Sequence, residues 1–237
     1  MPVAVLVHGA FHGGWCWRKV VSGLRGRGWE VWAPSLPGAG ERGHLLRRDL
    51  SLADRVRDVA SLIVTQQLAD VVLCGHSLGG MVVTGVADLL PDRIARLVAI
   101  DATIPESGES AMDVMAASPE IPALLRELAG NDGDGWRISP PAAFDAAAFG
   151  VPAGPDRAWA DSLLGDESLP VFEEPLAVGT GLDSVVRKSF VRTNFPVAWP
   201  DAVAARLSSS WDVLRWPHAG HDAMIAAADD VVRHLTE

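Results

Sequence analysis

Two residue types that commonly build scaffolds or charged surfaces are scarce. The 237-residue chain holds only two cysteines, Cys16 and Cys74, far apart in sequence. They make neither a disulfide framework nor a cysteine-based metal site. Lysine occurs only at Lys19 and Lys188, and the arginines form no cluster beyond short pieces such as Arg47-Arg48. With a formal net charge of −10, the chain has no basic footprint, which argues against nucleic acid or an anionic membrane as partner. No apolar run approaches transmembrane length. No charged stretch followed by a long apolar one precedes the first strand, so no secretory leader is read and the expected location is the cytoplasm. The preference for Arg over Lys, with abundant Ala, Gly and Val, is that of a GC-rich bacterial coding sequence.

What remains is an ordinary globular composition, 49% hydrophobic and 21% charged, in a chain sized for one core. The first hundred residues alternate. Val3 to His8 is a Val-rich run of the kind buried on both sheet faces. A helix over Trp15 to Arg27 closes at Gly28, and Trp29 to Ala33 is a second strand, stopped by Pro34. Ser51-Leu52-Ala53-Asp54 opens a helix that runs to about Leu68. Val71 to Cys74 is a strand, Gly79 to Leu90 a helix, and Ile94 to Ile100 a strand. Repeated β-α-β order predicts a parallel sheet with helices on both faces.

The alternation stops after Asp101. Residues from about Pro105 to Asp183 carry many Pro and Gly and no clear strand, yet they keep Trp136, Phe144, Phe149, Trp159 and Phe172. A solvated linker does not carry that much aromatic surface, so the segment reads as an insertion above the sheet. Alternation resumes with a strand over Ser189 to Thr193, a helix near Pro200 to Leu207, a strand over Trp211 to Trp216, and a last helix from about Ala223 to Leu235.

The chemistry centres on Gly75-His76-Ser77-Leu78-Gly79, set between a strand and a helix. A Ser on this sharp turn needs small neighbours two positions away, and Gly75 and Gly79 supply them. The turn lifts the Ser77 hydroxyl out at the carboxyl edge of the sheet and aims a helix N-terminus at the reaction centre. Acyl transfer also needs two donors for the developing oxyanion. The N–H of Leu78 is one candidate. The other is the N–H of Ala10, in the glycine-rich loop His8 to Trp15 after the first strand. That loop lacks the Lys and Ser/Thr a nucleotide-binding loop requires.

The base belongs on the loop after the last strand, where His218 and His221 compete. His221 follows a Gly and immediately precedes the last helix, so it is preferred. His8, His12 and His76 read as local hydrogen-bonding or pocket-lining residues. The acid that fixes the base's tautomer usually sits after the penultimate strand, but Thr193 to Pro200 contains no Asp or Glu. Asp101 ends the strand after the nucleophile's helix, at the same sheet edge as Ser77, and is the natural substitute. Asn194, Asp201 or no acid at all are the alternatives.

The stretches HGAFHGGWCW, GHSLGG, DATIPESGES and HAGHDAM resemble the plant methylesterase and hydroxynitrile-lyase branch of the α/β-hydrolases and its bacterial esterase relatives. The segment from Ala158-Trp159 to Phe172-Glu173-Glu174-Pro175-Leu176 is similar too. The resemblance implies an α/β-hydrolase fold: a mainly parallel sheet of about six strands, residues 1–104 and 184–237, and a small helical cap, residues 105–183, within a single domain overall. It further implies no cofactor, no metal and a hydrophobic pocket for small esters. Ser77 and His221 are then catalytic, with Ala10 and Leu78 as oxyanion donors. The chain departs from the branch at three points. The lyases carry a Thr where this chain has Gly9 and a Lys where it has Asp222, which argues against cyanohydrin cleavage. Pro196 lies where the branch has its acid.

The leading expectation is a serine esterase acting on a small hydrophobic ester, with Phe11, His12, Trp136, Trp159 and Phe172 as candidate pocket residues. One alternative is a lyase or cyclase that uses His221 as general base on a polyketide-type intermediate. Another is a small-molecule binding protein that keeps the pocket without turnover.

Overall fold

The computed structural model describes every residue except Ala142, Ala143 and Ser208. In chain order the first half contains β1 (Val3–Val7), α1 (Arg18–Arg25), β2 (Glu30–Trp32), α2 (Leu52–Thr65), β3 (Val71–His76), α3 (Gly79–Leu89) and β4 (Ile94–Ile100). Between β4 and the next sheet strand lie α4 (Ala111–Val114), α5 (Glu120–Asp132), β5 (Arg137–Ile138), α6 (Pro155–Asp161), β6 (Glu167–Ser168), α7 (Leu169–Glu173) and α8 (Gly181–Ser184). The chain ends with β7 (Arg187–Thr193), α9 (Trp199–Arg206), β8 (Trp211–Trp216), α10 (Ala223–Ala226) and α11 (Ala228–Thr236).

Six strands form one sheet in the order β2-β1-β3-β4-β7-β8, and every pairing in it is parallel. This is the α/β-hydrolase fold. Alternate residues of the central strands feed two apolar layers. Val3, Val5, Val7, Leu73, Leu97 and Phe190 face one side, against Val56 and Val59 of α2 and Val82, Val83 and Val86 of α3. Ala4, Leu6, Cys74, Val98 and Val191 face the other, against Val20 and Leu24 of α1 and Val231, Val232 and Leu235 of α11. Burial on both faces is why these strands read as continuous apolar runs. Because the strands are parallel, the ends of β3, β4, β7 and β8 open at one edge, the place where ligands bind in sheets of this kind.

Three local expectations are corrected. The first helix opens as a 3₁₀ turn over Gly14–Trp17 and ends at Arg25, with Gly28 at φ 78° beyond it. The last helix is broken at Ala227 (φ −134°, ψ 41°) into α10 and α11. The segment after β4 does contain strand: β5 and β6 pair antiparallel, Arg137 with Ser168 and Ile138 with Glu167. Two-residue strands are too short to leave a period in sequence. Their anchor is also polar, since buried Glu167 receives both terminal nitrogens of buried Arg55 from α2, at 3.0 and 2.6 Å. The capping box at Ser51 is formed as read, with Asp54 N donating to Ser51 Oγ (3.0 Å) and Ser51 N to Asp54 Oδ2 (3.2 Å). Among the described residues no helix is long and apolar enough to cross a membrane.

Candidate active site

Ser77 sits between β3 and α3 at φ 49°, a conformation that side chains other than glycine seldom adopt. The neighbouring atoms leave no room for a Cβ at the flanking glycines. A Cβ on Gly75 lies 2.5 Å from Val83 Cγ2, and one on Gly79 lies 2.6 Å from His8 O. The turn is tied to the end of β4: Ser77 N donates to Ile100 O (3.2 Å), and Thr103 N donates to Ser77 O (3.0 Å). Such a strained, over-determined turn is where functional side chains are held.

Asp101, the residue after β4, also has positive φ (39°) and is fully buried. Its N–H donates to Val191 O at 2.8 Å. Its Oδ1 accepts from Thr193 N at 2.9 Å and its Oδ2 from the Thr193 hydroxyl. Arg192 Nη1 lies 3.6 Å from Oδ1. The same Oδ2 is 3.3 Å from His221 Nδ1. A carboxylate only accepts, so Nδ1 of His221 carries the proton of this bond. The ring is buried, with Phe195 stacked on it at 4.1 Å between centroids and 22° between planes.

The competing residues lie elsewhere. The His218 side chain is 58% exposed and its Nε2 pairs with Asp230 at 2.9 Å. Asn194 is exposed, and Asp201 is occupied by Arg192 (2.8 Å) and Arg215 (2.9 Å).

Ser77 and His221 open on one narrow cavity of about 50 Å³, together with Ala10, Phe11, His12 and His76. Its remaining wall is apolar: Phe144, Phe149, Phe195 and Trp199, with Met115, Ile121 and Leu125. Leu78 follows Ser77 at the head of α3 in helical conformation (φ −55°, ψ −28°), which leaves its N–H outside the helix's own bonding pattern. Phe11 and His12 line the cavity as read from sequence, whereas Trp136, Trp159 and Phe172 do not. The carbonyl of Trp136 takes a bond from Leu169 N at 2.7 Å. Trp159 meets Trp15 edge-on at 5.2 Å and has the Arg18 guanidinium 3.5 Å above its ring. Phe172 is part of the apolar core. Phe144 and Phe149 were visible as insertion aromatics, but no spacing assigned them to the cavity. Phe195 and Trp199 follow β7, in the stretch from Thr193 to Pro200 that contains no Asp or Glu.

His8, His12 and His76 are buried and make distinct contacts. His8 Nε2 accepts from Leu36 N at 2.9 Å, and its Nδ1 donates to Gly9 O at 2.8 Å. Burial pushes the His8 pKa down to about 3, so the ring is neutral. His76 donates from Nε2 to His221 O at 3.0 Å, and burial, then the neighbouring His221 and His12, push its pKa well down. His12 Nε2 lies 3.1 Å from Asp222 Oδ2. Among the described residues no group of His, Cys, Asp and Glu could hold a metal ion.

A parallel sheet with a serine on its β3–α3 elbow, and a His–Asp pair beside it, defines an α/β-hydrolase. The chain belongs to the Alpha/beta hydrolase family, whose model matches residues 4–234. A carbendazim hydrolyzing esterase of Nocardioides sp. (strain SG-4G) is 35% identical over 98% of this chain and 97% of its own length. Methyl jasmonate esterase 1 of Vitis vinifera is 38% identical over 43% of this chain and 39% of its own. Among solved structures, tomato methylketone synthase I superposes with a TM-score of 0.84 at 19% identity, covering 99% of this chain and 96% of that one. The two esterases are of the kind the motifs resemble, a plant methylesterase and a bacterial esterase relative.

Proposed function

We propose that this chain hydrolyses small apolar carboxylic esters through an acyl-enzyme on Ser77. His221 Nε2 takes the Ser77 proton as Oγ attacks the ester carbonyl carbon. The N–H groups of Ala10 and Leu78 hold the oxyanion of the tetrahedral intermediate. His221 then gives its proton to the departing alcohol, and a water activated by the same nitrogen releases the acid. Asp101 holds the Nδ1–H tautomer and stabilises the imidazolium that forms. The scheme calls on no cofactor. Residues 105–183 act as a cap over a core made of 1–104 and 184–237, and Phe144 and Phe149 of the cap, with Phe195 and Trp199 of the core, form the aromatic wall that selects apolar substrates.

The observation that carries this reading is the 3.3 Å contact between His221 Nδ1 and Asp101 Oδ2, on a ring that shares its cavity with Ser77. Fluorophosphonate labelling with intact-mass detection tests the reading: one adduct is expected on wild type and none on Ser77→Ala. A wild type that stays unlabelled under conditions that label a control esterase overturns it. Turnover of p-nitrophenyl acetate and butyrate, and of carbendazim, then ranks substrates.

A further inference from the structure

A second His–Asp pair lies beside the first and is built differently. His12 Nδ1 is 2.7 Å from Ala10 O, and His12 Nε2 is 3.1 Å from Asp222 Oδ2. Both side chains are almost completely buried. A carbonyl and a carboxylate are acceptors, so this ring must donate from both nitrogens, which is the imidazolium form. Among the described residues the other carboxylate oxygen, Asp222 Oδ1, has no hydrogen-bond partner. His76 Nε2 stands 3.9 Å from it and spends its proton on His221 O. The Asp222 charge therefore rests on His12 alone, and a buried carboxylate is costly without such a counter-charge.

We propose that His12 is a resident imidazolium, clamped by Asp222, that holds the Ala10 backbone through its carbonyl so that the Ala10 N–H serves as an oxyanion donor. This rests on the reading of Ala10 as a donor. The pair joins the loop after β1 to the residue that follows His221, across 210 residues of sequence. It fixes the Ala10 carbonyl next to Phe11, which is held at φ 65°. The Asp222 end is anchored as well, its N–H donating to Phe149 O at 2.9 Å. The groups around the ring agree with a cation there. Trp15 stacks on it at 5.3 Å, and Phe149 and His76 flank it at 5.5 and 5.9 Å. His8 and His76 are neutral, and burial first, then Asp222, pushes the Cys16 thiol well up, so it is neutral too. On its outer side His12 borders a cleft that also holds Glu41 and Asp166. Burial opposes the charged ring, but the Asp222 charge and bond and the Ala10 carbonyl outweigh it and raise the pKa above 6.5.

The test reads charge state and rate separately. In protein labelled with ¹⁵N-histidine, His12 is assigned by the signals lost in His12→Gln. At pH 7 both of its ring nitrogens are expected to be protonated, and Asp222→Asn is expected to leave one protonated. Because asparagine keeps the shape and removes the charge, kcat for p-nitrophenyl butyrate should fall about 10- to 100-fold, with KM little changed and Tm retained. His12→Gln gives the same kcat loss and serves if Asp222→Asn does not fold. A wild-type His12 carrying one proton at pH 7 overturns the proposal, as does an unchanged kcat in these variants. Failure of fluorophosphonate to label wild-type Ser77 is instead a failure of the esterase reading, and the nitrogen signals still decide the charge on His12.

Discussion

Asp101 Oδ2 lies 3.3 Å from His221 Nδ1, although Asp101 follows β4 and not the strand next to the loop that carries His221. β7 lies between β4 and β8. It contributes Thr193, whose N–H and hydroxyl both bind the carboxylate, and Arg192, 3.6 Å from it. The Asp101 carboxylate is thus held from the neighbouring strand.

If Asp101 sets the tautomer of His221, Asp101→Asn should cost about 10⁴ in kcat, as loss of the acid does in other serine triads. Asp201→Asn and Asn194→Ala should leave kcat near wild type, because Asp201 serves Arg192 and Arg215 and Asn194 is exposed. Steady-state kinetics on p-nitrophenyl butyrate make the comparison. A larger loss from Asp201→Asn than from Asp101→Asn reverses the assignment.

Gly9 is a second sharp point. A Cβ there meets Ser77 Cβ at 2.7 Å and His76 Nδ1 at 3.0 Å. Gly9→Ala should destabilise by about 1–3 kcal/mol through overpacking, and should lower kcat by displacing the nucleophile. Urea unfolding and esterase assays on one preparation check both effects. The same crowding predicts that Gly9→Thr, the residue of the related lyases, inactivates the esterase without installing cyanohydrin cleavage.

The Arg55–Glu167 pair is buried at both ends and bidentate. Glu167→Gln leaves the guanidinium without a counter-charge and should cost about 3–5 kcal/mol. The double variant Arg55→Met/Glu167→Leu should recover much of that loss. Urea midpoints of the three proteins decide. A double variant worse than the single one argues that the pair holds more than a charge balance.

Acid sensitivity follows from His8 and His76. The unfolded chain protonates them near 6.5, whereas folded His8 does so only at about 3 and His76 lies well below its usual value. Between those values the unfolded state binds more protons, so stability is full above 6.5 and falls as pH drops through the window. His12 has the opposite sign: its contribution is present at low pH and is lost as pH rises through its raised value. Calorimetric Tm values should therefore decline between pH 6.5 and about 5, above the range where carboxylates titrate. A flat Tm across that interval contradicts this.

The parts legible in sequence were those fixed by local backbone demands. The elbow at Ser77 announces itself because Gly75 and Gly79 have no room for a Cβ, and His221 because a parallel sheet brings its loop to that edge. Asp101 was legible only as a position at a strand end. The cavity wall was not, since Phe149, Phe195 and Trp199 converge through the path of the chain between β4 and α9, which no periodicity encodes. Contacts between remote polar residues, such as Arg55 with Glu167 across 112 residues, leave no pattern in a hydrophobic profile.

Housing the carboxylate on β4 frees the turn that leaves β7 from any electrostatic duty toward His221. Its backbone is pinned independently, with Arg192 donating to the carbonyls of Phe195 (2.8 Å) and Val197 (3.2 Å) and Asn194 N donating to Ala219 O (2.8 Å). Its side chains at Phe195 and Trp199 face the cavity. A library confined to Trp199 would therefore reshape the space offered to an incoming molecule while Phe195 stays stacked on the His221 ring, which makes that position the place to begin redesigning selectivity.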